Sequence, residues 1–261
     1  MAAILELEHI EVRFGGLHAV DDVSLSVREG EIFSVIGPNG AGKTTLFNAV
    51  AAFVPLAGGR VTFRGGRIDG LPTHRIAALG VARTWQNVRV FPAFTVLQNI
   101  MSGRIVRTTT GLFASVMNSG LARREESEAE NRARELIELV GLAGRESVVA
   151  RQLAYGEQKA VEIARALATE PSLVLLDEPA AGLNASETGT LMALVRRIRD
   201  LGKTVLLIEH DMRMVMGISD RVAVLDHGRK IAEGLPGEVR ADRAVIASYL
   251  GEEAPDAAPA G

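Results

Sequence analysis

The chain has 261 residues, of which 47% are hydrophobic, and this indicates a globular protein of one or two domains with a sizeable core. Its net charge of -3, from 29 basic and 32 acidic residues, argues weakly against a nucleic acid as the main partner. The chain has no cysteine, so disulfide bonds, thiol catalysis and cysteine zinc sites are excluded.

The N-terminus shows no sign of a targeting segment. It has no basic stretch and reaches an acidic residue at Glu6, so we do not expect a signal peptide. No apolar run is long enough to span a bilayer. We therefore expect any role at a membrane to depend on a partner.

Residues 4–27 are predicted to form antiparallel strands, because apolar and polar residues alternate along them. Phe14 lies between these strands, just before the pair Gly15–Gly16. Its ring could belong to the core, or it could be exposed and stack on a base. Taken alone, the residue favours the core.

The next segment fits the phosphate-binding pattern G-x-x-x-x-G-K-S/T without a mismatch. It consists of Gly37, Pro38, Asn39, Gly40, Ala41, Gly42, Lys43, Thr44 and Thr45. A buried strand is predicted before it and a helix after it, which is the context that the motif needs. The glycines and the helix N-terminus can bring N–H groups to phosphate oxygens. Lys43 can reach the β and γ phosphates, and the Thr44 hydroxyl can ligate Mg²⁺.

The middle of the chain is predicted to be mostly helical. Gln86 follows the only tryptophan and alone would be an ordinary surface amide. Within residues 92–150, an amphipathic helix ends at Gly141. Its apolar residues are Ala133, Leu136, Ile137 and Val140. Residues 104–120 show no clear period and predict a loop or a poorly ordered connection. We interpret this block as a helical subdomain inserted into an α/β core.

Two later segments carry polar residues where an element begins or ends. Leu153–Glu157 leads into a strong helix former and is a possible anion site. An apolar strand from residue 172 ends in two adjacent carboxylates, Asp177 and Glu178. Buried carboxylates are costly unless they serve a cation or a proton transfer. A strand-end aspartate beside a phosphate loop is the Mg²⁺ partner that such sites use.

The last part of the chain contains a strand, a hairpin and a tail. The apolar strand at residues 204–208 is followed by His210, which alone would more often be structural than catalytic. Residues 221–234 predict a hairpin that turns at His227–Gly228. Residues 251–261 are Ala, Pro, Gly and acids and are expected to be frayed.

The ordered set of motifs resembles an ATP-binding-cassette ATPase over nearly the whole chain. In that family the phosphate loop is followed by a glutamine loop, a signature motif, an acidic strand with a catalytic glutamate, a D-loop and a switch histidine. Here these match Gln86, Leu153–Glu157, Asp177 with Glu178, Ala181–Asn184 and His210. Where the usual signature is LSGGQ, this chain has Ala154, Tyr155 and Glu157, and its D-loop ends in Asn184 instead of Asp. The Ala154–Tyr155 signature and the Asn-ended D-loop are usual in the branch that the chain most resembles, the larger ATPase subunit of bacterial importers for branched-chain amino acids.

The resemblance implies an α/β fold with a P-loop (RecA-like) nucleotide-binding core, an N-terminal antiparallel β subdomain and an inserted α-helical subdomain. We expect the core and the β subdomain to comprise residues 1–87 and 160–250. The helical subdomain that carries the signature motif would comprise residues 88–159, and residues 251–261 would form a flexible tail.

The resemblance also implies ATP and Mg²⁺ as ligands. Phe14 would stack on the adenine, and residues 37–45 would hold the phosphates. The signature of a second chain would complete the ATP site through Ala154, Tyr155, Gly156 and Glu157. Mg²⁺ would be held by Thr44, Gln86 and Asp177. The catalytic residues would be Glu178, which polarises the attacking water, His210, which contacts the γ-phosphate, and Gln86, which also faces the membrane partner.

The implied partners are a second ATPase subunit, identical or different, two integral membrane permease subunits, and an external solute-binding protein that acts through the permeases. No nucleic acid is expected. The chain would be a peripheral protein at the cytoplasmic face of the bacterial inner membrane. Its ATP hydrolysis would drive uptake of branched-chain or other hydrophobic amino acids.

Other interpretations stay open on the sequence alone. Related cassettes serve urea, amides or other amino acids, and the sequence does not give the solute. A soluble cassette that assembles or regulates something, without moving a substrate, is also compatible with the length of the chain. A GTPase would need an Asn-Lys-x-Asp motif, and no such string occurs.

Overall fold

The structure is a computed structural model that describes residues 2–104 and 120–250. The strands are β1 (Ala3–Phe14), β2 (Leu17–Arg28), β3 (Ile32–Ile36), β4 (Gly58–Phe63), β5 (Gly66–Arg67), β6 (Val81–Arg83), β7 (Leu173–Asp177), β8 (Thr204–Ile208), β9 (Arg221–Asp226) and β10 (Arg229–Gly234). The helices are α1 (Lys43–Val50), α2 (Thr73–Leu79), α3 (Val96–Ser102), α4 (Gly120–Leu139), α5 (Tyr155–Ala168), α6 (Ala185–Asp200), α7 (Met212–Ile218), α8 (Pro236–Ala241) and α9 (Arg243–Leu250).

A six-stranded sheet carries the site, in the order β10-β9-β3-β8-β7-β6. Its strands run parallel except β10, which pairs antiparallel with β9 at the edge. Strands β3, β7 and β8 are buried along their whole length, because a parallel sheet is covered on both faces. Since parallel strands end at the same edge, the residues that follow Ile36, Asp177 and Ile208 lie side by side.

The predicted antiparallel strands at residues 4–27 are confirmed. Strands β1 and β2 form a hairpin inside a four-stranded sheet of order β2-β1-β4-β5, in which all neighbours are antiparallel. Leu7 of β1, Phe33 of β3 and Phe47 of α1 belong to one buried cluster, so α1 packs between the two sheets. Phe14 is 51% exposed, and the expectation that it belongs to the core is wrong.

The predicted helical block is confirmed where the structure describes it. Helices α3, α4 and α5 pack together, and their buried residues join a cluster on the other face of the parallel sheet. The four predicted apolar residues of the amphipathic helix, Ala133, Leu136, Ile137 and Val140, are all buried. Helix α4 ends at Leu139, just before the left-handed Gly141. The division into domains stays a prediction.

The predicted hairpin at residues 221–234 is formed by β9 and β10 and turns at His227–Gly228, as expected. Most of the predicted loop at residues 104–120 and the whole predicted tail at residues 251–261 lie outside the described residues. Within the described part of the chain, no helix has both the length and the apolar character that crossing a bilayer requires.

Candidate nucleotide-binding site

The phosphate loop joins β3 to α1, and two of its glycines are required by close contacts. A Cβ atom on Gly37 would lie 2.0 Å from the Leu225 carbonyl oxygen, and one on Gly42 would lie 2.3 Å from the Ala19 carbonyl oxygen. Both glycines also have positive φ angles, of 149° and 97°. Gly42 caps α1 without a side-chain hydrogen bond, which leaves the N–H groups of the helix start available to an anion.

Lys43 holds its positive charge inside this loop. The side chain is buried, and Nζ donates hydrogen bonds to the carbonyl oxygens of Gly37 at 2.6 Å and Pro38 at 2.7 Å. The loop carbonyls thus keep the ammonium group close to the helix start. A phosphate that reached this point would meet both a fixed cation and the N–H groups of the helix start.

One cavity of about 560 Å³ extends from the phosphate loop to Phe14. Its wall contains Lys43 and Thr44 at the loop, Glu178 from the end of β7, and the half-exposed ring of Phe14. The volume is within the range of small-molecule sites in proteins. The cavity therefore brings together the predicted aromatic, phosphate-binding and catalytic residues.

The turn between β9 and β10 is a part of the cavity that the sequence did not place there. Gly228 donates its N–H to the Ala41 carbonyl oxygen at 3.1 Å, and its own carbonyl oxygen accepts from the Asp21 N–H at 2.8 Å. This turn therefore braces the phosphate loop. The cavity residues that sequence reasoning missed are Leu17, His18, Ala19, His227 and Gly228. Their contacts join segments that are distant in the chain, and no local pattern signals them.

Asp177, the last residue of β7, is buried, and only one of its two carboxylate oxygens accepts a hydrogen bond from a described residue. Its Oδ2 accepts a hydrogen bond from Arg83 Nη2 at 2.8 Å. Its Oδ1 is buried and has no hydrogen-bond partner among the described residues. Burial raises the pKa of the Asp177 carboxyl, and the Arg83 guanidinium and the Thr44 hydroxyl both act in the opposite direction. A buried, unpartnered carboxylate oxygen beside Thr44 suits a divalent cation.

The described residues contain no group of three or more acidic or histidine side chains that could hold a metal ion by themselves. Mg²⁺ at a phosphate site uses one or two protein oxygens together with phosphate oxygens and water.

The other two predicted catalytic residues, Gln86 and His210, both lie near one carboxylate oxygen of Glu178. Gln86 Nε2 donates a hydrogen bond to Glu178 Oε2 at 2.7 Å. His210 Nδ1 lies 4.0 Å from the same oxygen. The structure therefore brings Gln86, Glu178 and His210 together, although they come from three separate loops at the edge of the sheet.

Glu178 has a left-handed backbone, with a φ angle of 46°, and two buried ionisable residues brace the turn that contains it. Lys159 Nζ donates to the carbonyl oxygens of Glu178 at 3.1 Å and Pro179 at 2.9 Å. Glu209 Oε1 accepts the Ala180 N–H at 2.7 Å. Burial lowers the pKa of Lys159, and it raises the pKa of Glu209. Sequence reasoning missed both roles, because each contact joins two segments that are separate in the chain.

The signature segment lies apart from the phosphate-loop cavity. Residues 154–157 form the start of α5, and none of them lines that cavity. Tyr155 is 43% exposed. Glu157 accepts the Ala154 N–H at 3.0 Å and forms an ion pair with Arg145 at 3.1 Å, so its negative charge is balanced. Within one chain, the structure thus brings only part of the predicted ATP site together.

A second cavity of about 580 Å³ lies between β6, α2 and α5. We call it the aromatic groove, because Phe53, Trp85 and Phe91 line it. Two guanidinium groups contact the Trp85 ring, with Arg83 Cζ at 4.5 Å and Arg89 Cζ at 4.1 Å from its centroid. Such cation–π contacts fix the ring in the wall of the groove.

The fold and the cavity at the phosphate loop together define a P-loop nucleotide-binding protein. The sequence matches the family described as ABC transporter over residues 20–181. The chain belongs to the ABC transporter family, as an ATP-binding cassette of the class that hydrolyses ATP to power transport. A second family, described as branched-chain amino acid ATP-binding cassette transporter, matches residues 229–255.

Relatives match over almost the full length of the chain. It is 47% identical to the high-affinity branched-chain amino acid transport ATP-binding protein LivG of Salmonella typhimurium, with 95% of this chain and 98% of that protein covered. It is 45% identical to the corresponding protein BraF of Pseudomonas aeruginosa, again with 95% and 98% covered. It is similar to the ADP conformation of MJ1267, an ATP-binding cassette of an ABC transporter, at 31% identity and a TM-score of 0.84, with 96% and 100% covered. The expected family and fold are confirmed.

Proposed function

We propose that this chain is the ATP-hydrolysing subunit of a bacterial importer for branched-chain or other hydrophobic amino acids. The observation that carries the proposal is the 45–47% identity to LivG and BraF over 95% of the chain. The match of residues 229–255 to the branched-chain amino acid family supports it independently, because this segment lies outside the residues 20–181 that define the general family.

The geometry supports a defined mode of ATP binding. Phe14 would stack on the adenine, while residues 37–45 would surround the phosphates. Thr44, Gln86 and Asp177 would hold Mg²⁺, and the open Oδ1 of Asp177 supports this assignment. When bound, Mg²⁺ would neutralise negative charge on the phosphates.

Hydrolysis would use the three residues that meet at Glu178. Glu178 would accept a hydrogen bond and then a proton from the attacking water. Gln86 donates to Glu178 Oε2 in this structure, and the carboxylate keeps further acceptor positions for the water. His210, 4.0 Å from that oxygen, would reach toward the γ-phosphate. These residues act mainly by positioning, which is what phosphoryl transfer requires.

The site would be completed by a second ATPase subunit, either another copy of this chain or a different one. Residues 154–157 lie outside the phosphate-loop cavity, which fits a signature that acts on ATP bound by the partner. The side chain of Ala154, the N-cap of α5, cannot accept a hydrogen bond, so the N–H groups of the residues that follow it can meet a phosphate there. The N–H groups of Tyr155 and Gly156 would replace the serine that this signature lacks.

The aromatic groove is the proposed docking site for a permease. Phe91 and Phe94, beside the groove, are both exposed and stack at 5.1 Å, which places apolar rings on the surface. Two permease subunits and an external solute-binding protein would complete the importer. The chain would then lie at the cytoplasmic face of the inner membrane.

The test is transport by the purified complex. The chain is purified from bacterial membranes with its permeases and reconstituted into proteoliposomes with the solute-binding protein. ATP-dependent uptake of labelled leucine, absent with Glu178→Gln, is expected. ATP-dependent uptake of urea or acetamide without leucine would overturn the assigned solute. Failure to co-purify with any integral membrane protein would favour a cassette that moves no substrate.

A further inference from the structure

Arg83 forms a buried ion pair that the roles proposed above do not use. Its Nη2 lies 2.8 Å from Asp177 Oδ2, and the two side chains are only 5% and 2% exposed. Its Nη1 donates to Asn48 Oδ1 at 2.7 Å. One guanidinium therefore joins the end of β7 to α1, the helix that begins at the phosphate loop.

Burying two charged side chains costs free energy, because both lose their hydration. Burial lowers the pKa of Arg83, and the Asp177 carboxylate opposes that shift. A buried ion pair often adds little stability compared with apolar residues of the same size. What this pair does provide is orientation, because the planar fork binds Asp177 and Asn48 at once.

The orientation leaves one carboxylate oxygen open. Arg83 occupies Oδ2 of Asp177, while Oδ1 is buried without a hydrogen-bond partner among the described residues. Groups that hydrogen-bond to a metal ligand fix its direction, and their loss weakens metal binding. Arg83 stands in this relation to Asp177.

The same guanidinium also contacts the aromatic groove. It lies 4.5 Å from the centroid of the Trp85 ring and 5.5 Å from that of Phe53. Both aromatic rings line the groove. Arg83 thus contacts two aromatic rings of the proposed docking site and, through Nη2, the Asp177 carboxylate of the proposed metal site.

We propose that Arg83 is a positioning residue that directs Asp177 toward Mg²⁺ and couples this carboxylate to Trp85 in the aromatic groove. The inference rests on the proposed Mg²⁺ and ATP site. Coupling between two sites is reciprocal. Occupation of the groove should therefore change the affinity for Mg²⁺, and Mg²⁺ with ATP should change the surroundings of Trp85.

The chain offers a direct reporter, because Trp85 is its only tryptophan. The full chain is titrated with Mn²⁺ in the presence of ATP, and bound Mn²⁺ is measured by electron paramagnetic resonance. Tryptophan emission is then recorded while Mg²⁺ is added to the chain with ATP. Neither readout depends on turnover.

Arg83→Met should weaken Mn²⁺ binding by about 10- to 100-fold, the usual effect of removing a group that orients a metal ligand. Arg83→Lys should restore part of the affinity. Arg89→Met is the matched control, since the Arg89 guanidinium also contacts the Trp85 ring, and it should keep the wild-type Mn²⁺ affinity. The wild-type emission should change with Mg²⁺, and Arg83→Met should lose this change.

Asp177→Asn distinguishes failure of the proposed metal site from failure of the proposed positioning role of Arg83. If it leaves Mn²⁺ binding unchanged, the proposed metal site is wrong. If it weakens binding but a folded Arg83→Met does not, the positioning role is wrong. Constant Trp85 emission in the wild type would overturn the coupling. If Arg83→Met does not fold, Asn48→Ala and Arg83→Lys test the positioning role instead. Both variants keep a positive charge at residue 83, and both are expected to weaken Mn²⁺ binding. Unchanged binding in both would overturn the proposal.

Discussion

The phosphate loop and the signature segment are both loops that lead into a helix, but their surroundings differ. Neither Gly42 at the start of α1 nor Ala154 at the start of α5 has a side chain that can cap the helix, so both helix starts can receive an anion. The first is surrounded by a cavity that contains Lys43, Phe14 and Glu178. The second carries the exposed Tyr155 and lines no part of that cavity.

This difference supports the proposed division of the ATP site between two chains. A cation, an aromatic ring and an open carboxylate oxygen already surround the phosphate loop of one chain. The cavity that Gly156 and Glu157 of the signature segment line contains no residue of the phosphate loop. We infer that one chain binds ATP and that the signature of a second chain is needed for hydrolysis.

The largest expected effect separates hydrolysis from binding. Glu178→Gln keeps size and polarity but removes the base, so turnover should fall by about 10²–10⁴-fold. ATP binding should persist, and a closed dimer should then accumulate. ATPase assays on the transporter and size exclusion with and without ATP measure both effects. A wild-type rate in the assembled transporter would remove Glu178 from the mechanism.

Loss of the loop cation should affect binding itself. Lys43→Ala removes the ammonium that is held beside Gly37 and Pro38. ATP affinity should weaken by about 2–5 kcal/mol, the usual effect of removing one partner of a buried charge contact. Isothermal titration of the isolated chain measures it. Tyr155→Ala is the matched change at the other helix start and should leave this affinity unchanged; an equal loss would show that both segments act in one chain.

Lys159 links the two regions, because it lies on α5 and binds the turn that contains Glu178. Lys159→Met removes two charge-assisted hydrogen bonds, to the carbonyl oxygens of Glu178 and Pro179. The free energy of unfolding should fall by about 1.5–3 kcal/mol. Urea denaturation followed by circular dichroism measures this change. Unchanged stability would mean that the contacts do not brace the turn.

The smallest effect is expected at the adenine. Phe14→Ala should weaken ATP binding by about 1–3 kcal/mol, taking base stacking on aromatic rings as the guide. The fold should be unaffected, because the ring is half exposed. Phe94→Ala removes another exposed ring far along the chain and serves as the control in the same titration. Equal ATP affinity in the wild type and in Phe14→Ala would exclude the stacking role.

Local pattern was enough to predict one part of this molecule. The phosphate loop follows the buried strand β3 and starts α1, as its motif requires. The apolar run before Asp177 and the periodic residues of α4 also gave the correct element type. In each case the signal lies within a few residues of the feature.

Contacts between distant segments could not be predicted in this way. Arg83 and Asp177 are 94 residues apart, and the Lys159 contacts cross from α5 to the end of β7. A buried charge has no sequence signature of its own, because its partner is brought to it only by the fold. Phe14 is an apolar residue whose local sequence favours the core, but it lies at the exposed turn of the β1–β2 hairpin.

The division of the site between two chains can be tested most directly by cross-linking, because the natural chain has no cysteine. One preparation carries Asn39→Cys in the phosphate loop and another carries Tyr155→Cys in the signature, both with Glu178→Gln to retain ATP. If the working dimer contains a different ATPase subunit, the second cysteine is placed at the equivalent position of that subunit. The account predicts a cross-link between the two chains that forms only with ATP. No cross-link with ATP, or an efficient cross-link within one chain that carries both substitutions, would contradict it.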